Sequence, residues 1–573
     1  MKKYIILTFI TVTFFSCNYM DEVPYDWAQP VDVFSMEQNY ERPINQAYSY
    51  LIGGFNRING SFLGAATDDG MSTISNSSIH RLSRAFVNSS SPIESCWDAS
   101  YKGIHQALFV QKSLSEIDLV LNKKTTQEVL AIKNIYQGEM YALRAWYEFD
   151  LLRHYGGYPI INKYYQLGDP ELAAKGRSSV AECVQNIVNL CDSAAKYLDV
   201  TPIGGTGGFG RMTKGAALAI KAKTLVFAAS PLFNQGGNSN SLTGYLGSGA
   251  SDVKARWESA AEACAAVINL KTSGGAPVYS LAANYATLFT SSPNTEYIVF
   301  VGAPKSNSLE NRQYPPTLSK NSGGGTVPTQ EFVDAFTKSD GTDYVRGPVA
   351  TQYTNRDPRF VASIGFDGSK YGTKTVFTHL GQGSTTDGLN VVEERSTNTG
   401  YYLKKFLDLN VDFTKASPAT AFHIMPLIRL ADVYLLYAEA MNEAYGPGLD
   451  PKGFGLTARA AVQAVRKRAG FATTDNYLLG VTTNTAMRDK IKQERRVELS
   501  FEEQRYFDLR RWLDGNTLNK PVTGISIEIT NGVTTSSYFT VDNLRKFEAR
   551  MYLHPIPLQE LRISPQIAQN PGW

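Results

Sequence analysis

TQEVLAIKNIYQGEMYALRAWYEFDLLRH, residues 126–154, decides the fold class, because Tyr136, Met140, Leu143, Tyr147 and Leu151 recur at steps of four, three, four and four. That spacing lines one face of an α-helix. Gly156-Gly157 and then Pro159 follow, the punctuation that ends a helix. Upstream, Trp97, Tyr101, Ile104 and Leu108 keep steps of four, three and four. Downstream, residues 213–230 read TKGAALAIKAKTLVFAAS, an alanine-rich helix in which only Lys214, Lys221 and Lys223 are left to face water. Small residues let a neighbouring helix approach closely. A further helix, 252–270, carries Val253, Trp257, Ala260, Cys264 and Val267 on one stripe.

Between about 277 and 412 the composition turns to Gly, Ser, Thr, Asn and Tyr, with one β-like run at Tyr297–Val301. Loop-rich, irregular structure is expected there. Helical period returns at 426–444, at 456–469 before Gly470, and from about 485 to 513 before Gly515; the proline-rich tail reads as strand and loop. The fold class is therefore mainly α. Its expected form is a tetratricopeptide-like helix-pair superhelix, mainly 31–275 and 425–515, with an irregular loop-rich half, mainly 277–412 and 516–573, carrying a few short strands. A strict 34-residue repeat is not found.

The first residues carry a different message. Lys2 and Lys3 precede an apolar run from Tyr4 to Phe15, so 1–16 reads as a secretory signal, too short to span a bilayer. Cys17 stands where a bacterial lipoprotein is cleaved and acylated, and the polar stretch 17–30 reads as a tether. Loss of Lys2 and Lys3 leaves 54 basic against 53 acidic residues, a balance that recruits neither nucleic acid nor acidic lipid. Cys96, Cys183, Cys191 and Cys264 show no CxxC spacing and read as buried thiols.

Motifs for chemistry are set against simpler readings. Glu494, Glu498 and Glu502 share a helical face as a glycosidase pair would, but Arg495, Arg496, Arg505, Arg510 and Arg511 alternate with acids. Local pairs Arg495–Glu498, Glu502–Arg505 and Asp508–Arg511, each three apart, are the better reading. Glycine-rich 204–210 is followed by Arg211-Met212 and lacks the Lys-Ser or Lys-Thr of a phosphate loop. The six histidines are scattered without HExxH, and no G-x-S-x-G occurs, so neither a metal, a cofactor nor a catalytic residue is assigned.

Several segments together resemble the SusD/RagB family of outer-membrane nutrient-binding lipoproteins. They are IRLADVYLLYAEAMNEA at 428–444, AVRKRAG at 464–470, ERRVELSFEEQRYFDLRRW at 494–512 and GEMYALRAWYEFDLLRHYGGYPII at 138–161. GRMTKGAALAIKAKTLVFAASPLFN at 210–234, NRDPRF at 355–360 and the closing YLHPIPLQELRISPQIAQNPGW at 552–573 extend the likeness along nearly the whole chain. The resemblance implies a single body over 31–573, facing the cell exterior on its lipid anchor. It also implies a SusC-like TonB-dependent transporter as partner and an oligosaccharide, or in some branches a peptide, as ligand. Binding without cleavage is the expected activity, with a transporter-docking scaffold of little ligand affinity as the alternative.

A sugar site needs flat apolar faces beside amides, carboxylates and guanidinium groups. Two loop regions offer these: Asp68 and Asp69 with Arg81 and Trp97, and, after the 297–301 run, Asn311, Arg312 and Tyr314. In glycan-binding relatives the ligand face draws on corresponding loops. Trp97 fits a helix-pair core as readily as a ligand face, whereas Tyr314, before Pro315-Pro316 in a polar loop, is expected to be exposed.

Overall fold

The computed structural model describes residues 29–166, 168–235, 239–290, 294–320, 323–380 and 386–573. The expected signal, Cys17 and all but the end of the tether lie outside them. Helix predominates, at 42% against 11% strand, as the periodicity requires.

Helices α1 (Trp97–Glu116), α2 (Thr126–Tyr155), α3 (Val180–Tyr197), α4 (Lys214–Ala229) and α5 (Ala250–Ile268) stack in chain order, each against the next. The stack continues from α5 to α6 (Leu430–Tyr445), which carries α7 (Ala458–Ala469) and α8 (Asn484–Glu498) against it. Neighbour-on-neighbour packing is the defining property of a helical-repeat superhelix.

Local chemistry fixes the longest of these elements. Thr125 and Glu128 form a capping box at the start of α2: the Glu128 carboxylate accepts from the Thr125 amide at 2.8 Å, and the Thr125 hydroxyl accepts from the Glu128 amide at 3.3 Å. Gly156, at φ +75°, turns the chain out at the other end. The α1–α2 approach depends on Gly103, where an added Cβ would lie 2.4 Å from the Tyr147 ring. The alanines of α4 are buried against α3 and α5, as their small size allows.

Three expectations need correction. Residues 426–429 belong to strand β4 (Ile424–Arg429), paired antiparallel with β2 (Tyr297–Gly302), and the helix begins only at Leu430. A strand needs a partner distant in sequence, which periodicity does not reveal. The expected helix 485–513 breaks after Glu498 and resumes as α9 (Gln504–Arg511), with Phe501 and Glu503 at positive φ. Phe501 turns its ring into a second core with Phe62 and Phe332, a burial that outweighs its backbone preference. Lys223, expected to face water, is fully buried and bonded to Asp432 at 2.6 Å and to Gln504 at 2.8 Å.

Helix α8 is shared between the two cores. Met487 and Ile491 enter the helical one, and Val497 and Phe501 just beyond enter that of the loop-rich half. Between them runs a buried ion network. Arg429 donates to Glu502 at 2.7 and 2.8 Å, to Glu296 at 2.6 Å and to Glu498 at 2.7 Å, and Arg359 joins Asp357, Glu494 and Glu498. Arg359 belongs to the NRDPRF turn, so that motif locks onto α8.

The pairing reading of the glutamates holds, but two of the three local pairs do not. Asp508–Arg511 forms at 2.8 Å, whereas Arg495 turns to Asp508 and Asp432, Glu502 takes Lys405 and Arg429, and Arg505 takes Asp68. Arg505 follows the break between the two helices, so it no longer shares a helical face with Glu502. Burying such charges costs several kcal/mol each, offset only where every donor finds an acceptor.

Candidate functional site

The two loop regions singled out in the sequence meet in space. Strand β1 (Gly70–Ser72) pairs antiparallel with β3 (Thr326–Pro328), with Gly70 opposite Pro328 and Ser72 opposite Thr326. Next to this ladder, the short helix Ser308–Gln313 is tied down by side chains: Gln313 Nε2 donates to Asn56 Oδ1 at 2.5 Å, and Gln313 Oε1 accepts from the Thr326 amide at 2.9 Å. Arg312 Nε donates to the Gly60 carbonyl at 3.3 Å.

A third stretch, absent from the sequence reading, completes the face. Glu394 accepts from the Ser75 amide at 3.1 Å, and its backbone carbonyl accepts from Thr73 Oγ1 at 3.0 Å. The Ser75 hydrogen bonds hold its carboxyl below the usual range, and Arg312 adds to the effect. Asn311, half-buried, accepts from the Lys320 amide at 2.8 Å. Guanidinium, amide and carboxylate thus lie at the rim of one loop cluster, the donor and acceptor types that sugar hydroxyls require.

The remaining expected residues are placed differently. Asp68 faces Arg505 at 2.8 Å and Arg496 at 3.1 Å; burial acts to raise its carboxyl, and the two guanidinium groups outweigh that and hold it below the usual range. Asp69 is wholly buried, bonded to Arg496 at 2.6 Å, and its carboxyl is raised by that burial. Asp68 lines a hollow of about 290 Å³ with Glu331, Asp334, Arg496 and Arg545. Arg81 is exposed and donates to Ser91 at 3.3 Å, in the turn beyond its own helix.

The aromatic residues are buried. Trp97, 3% exposed, packs against Tyr101 and Tyr155, which is the helix-pair alternative. Tyr314 is 2% exposed, against expectation, because its hydroxyl donates to the Asp408 carbonyl at 2.8 Å and its ring meets Tyr371 and Phe413 edge-on. It borders a hollow of about 220 Å³ together with Leu318, Lys374, Val411 and Asp412.

Cys96, Asp150 and His154 bring ligand-type atoms within 4.8 Å of one another. Arg153 already lies 2.5 Å from the Asp150 carboxylate, and burial pushes the Cys96 thiol well up, which keeps it protonated. A guanidinium beside a neutral thiol suits a packed polar core better than a metal. The other three cysteines among the described residues, Cys183, Cys191 and Cys264, are also buried and unpaired. No helix among the described residues is long and apolar enough to cross a membrane.

Comparison with known proteins agrees with this architecture. The chain is 31% identical over 169 residues to SusD-like protein P25 of Formosa agariphila, a match covering 30% of this chain and 27% of that protein. Its fold superposes on a SusD-like protein from Bacteroides fragilis with a TM-score of 0.73 at 24% identity, covering 95% of this chain and all of the other. A laminarin-binding SusD-like protein gives a TM-score of 0.63 at 21% identity, over 94% of this chain and all of the other. Residues 18–225 match the model described as "Starch-binding associating with outer membrane", and residues 288–573 match that of the SusD family. With two related models matching most of its length and the same fold throughout, the chain belongs to the SusD family.

Proposed function

We propose that this protein captures an oligosaccharide at the cell surface without cleaving it and passes it to a SusC-like TonB-dependent transporter. Cys17 carries the lipid anchor, and 31–573 acts as one body. The observation that carries the reading is the convergence of three loop stretches on Asn311, Arg312 and Glu394, a polar rim built on the β1–β3 ladder. Membership of a family whose model names starch binding and the outer membrane supports it, as does a laminarin-binding neighbour.

The glutamate pair that the sequence offered for cleavage is engaged otherwise. A glycosidase needs one carboxyl that stays protonated near neutral pH and one that is ionised, both open to the polymer. Glu494 and Glu498 are buried among Arg359, Arg429, Arg466 and Arg468; burial acts to raise the Glu498 carboxyl, and Arg468, Arg429 and Arg359 outweigh that and hold it well below the usual range. Both serve as acceptors and neither meets solvent. Modest affinity suffices for delivery, because tethering beside a pore gives the second step a high effective concentration.

Calorimetry with a panel of neutral oligosaccharides on Asn311→Ala and Arg312→Ala tests the assignment. Each is expected to weaken the glycan that the parent protein binds about tenfold, ~1.4 kcal/mol, with the fold intact. Unchanged affinity in both would move the site off this face.

A further inference from the structure

A cavity of about 720 Å³ is lined by residues of α1 and α2, by residues 162–164 and by Tyr197 at the end of α3, and shares no lining residue with the loop face. Four cations line it, Lys112, Lys133, Arg144 and Lys163, and no carboxylate among the described residues does. The three lysines have ordinary partners outside the lining: Glu116, Asp118 and Glu171. Pairs of that kind at a protein surface are worth little and exchange readily.

Arg144 is different. It is 3% exposed, and among the described residues its hydrogen bonds go to neutral acceptors: Gln111 Oε1 at 3.1 Å, Asn162 Oδ1 at 3.0 Å and the Ile161 carbonyl at 3.2 Å. Its nearest carboxylate, Glu148, stands 3.9 Å away, whereas the arginines of the buried network hold theirs at 2.5–3.3 Å. The Arg144 Nε and Gln111 Nε2 atoms are buried with no hydrogen-bond partner. A guanidinium held this way has one distant counterion, Glu148, and donor capacity to spare.

At the rim, Tyr141 and Tyr197 stack almost parallel, 7° apart with ring centroids at 6.2 Å, and Tyr197 is 42% exposed. Such a pair offers a flat face to the C–H surface of a sugar ring, and the Gln111 and Asn134 amides suit its hydroxyls. We infer that this cleft is a second binding site, for an acidic oligosaccharide whose carboxylate or sulfate groups meet Arg144 and the lysines while a ring rests on Tyr197. The site goes beyond the loop-face reading and stands without it.

The test is calorimetry on the full soluble chain with hexagalacturonate, a sulfated hexasaccharide, a neutral hexasaccharide and a glutamate-rich peptide. Tyr197→Ala and the double variant Lys112→Gln/Lys163→Gln alter exposed side chains and spare the buried Arg144. One or both acidic saccharides should bind, at least tenfold more weakly in either variant and at high salt, and unchanged in Arg312→Ala. Each of these results would overturn the inference: neither acidic saccharide binding, the neutral one binding with an affinity that the cleft variants lower as much, or acidic-sugar affinity indifferent to both cleft variants. Binding of the peptide in place of the sugars would do so too. Loss in Arg312→Ala alone would assign the acidic sugar to the loop face.

Discussion

Arg429→Met is the most informative single perturbation of the fold. The side chain is 1% exposed and makes five hydrogen bonds: two to Glu502, one to Glu296, one to the Glu498 carboxylate and one, at 2.8 Å, to the Glu498 carbonyl. Methionine fills similar volume but returns none of them. Glu296 and Glu498 keep Arg468, and Glu502 keeps Lys405, so the site gains one unit of uncompensated negative charge. Removing one partner of a buried ion pair costs about 3–5 kcal/mol, and the upper half of that range applies where three carboxylates lose the same cation.

The loss has a pH signature. Glu498 has a folded pKa depressed below its unfolded value of about 4.3, so its contribution is present above that pH and lost as pH falls through the folded value. In the variant Glu498 loses one of the cations that hold its carboxyl low, binds a proton more readily, and acid relieves it. Urea unfolding followed by circular dichroism should therefore show a large deficit at pH 7 that narrows at pH 4, with an unchanged m-value. A deficit under about 1 kcal/mol at pH 7, or one independent of pH, would refute the view that this network joins the two halves.

Other expectations follow from single contacts. Gly103→Ala places a methyl 2.4 Å from the Tyr147 ring and should lower stability by about 1–3 kcal/mol in thermal melts, the cost of overpacking. Tyr314→Phe removes a buried hydroxyl that donates to Asp408, leaves that carbonyl unmet, and should cost ~1 kcal/mol of stability while leaving glycan affinity unchanged; a selective loss of affinity would return Tyr314 to the ligand face. Metabolic labelling with a clickable fatty acid should mark the parent protein and not Cys17→Ala; equal labelling of both would place the lipid elsewhere.

What was legible in the sequence was local. Helix 126–154 announces itself through its apolar period and the glycines just beyond it, all within one short stretch, and the structure reproduces it to within a residue. Strand Ile424–Arg429 escaped because its partner lies more than a hundred residues upstream, and an apolar run of that kind extends a helix equally well. The break at 499–503 has no glycine or proline to mark it; Phe501 takes positive φ because its ring has a core to fill. Tyr314 sits in a polar loop, but its hydroxyl acceptor lies 94 residues onward, which no window contains. For the site, the separate loops could be named, but their meeting through β1–β3 and the part of Glu394 depend on pairings distant in the chain.

Capture without turnover is tested most directly by following one sample two ways, with calorimetry for binding and a reducing-end assay for cleavage, using the polysaccharide that induces its expression. Saturable heat with a flat reducing-end signal over many hours is the expected result. A steady release of reducing ends, or no saturable binding to that polysaccharide or its oligomers, would contradict it.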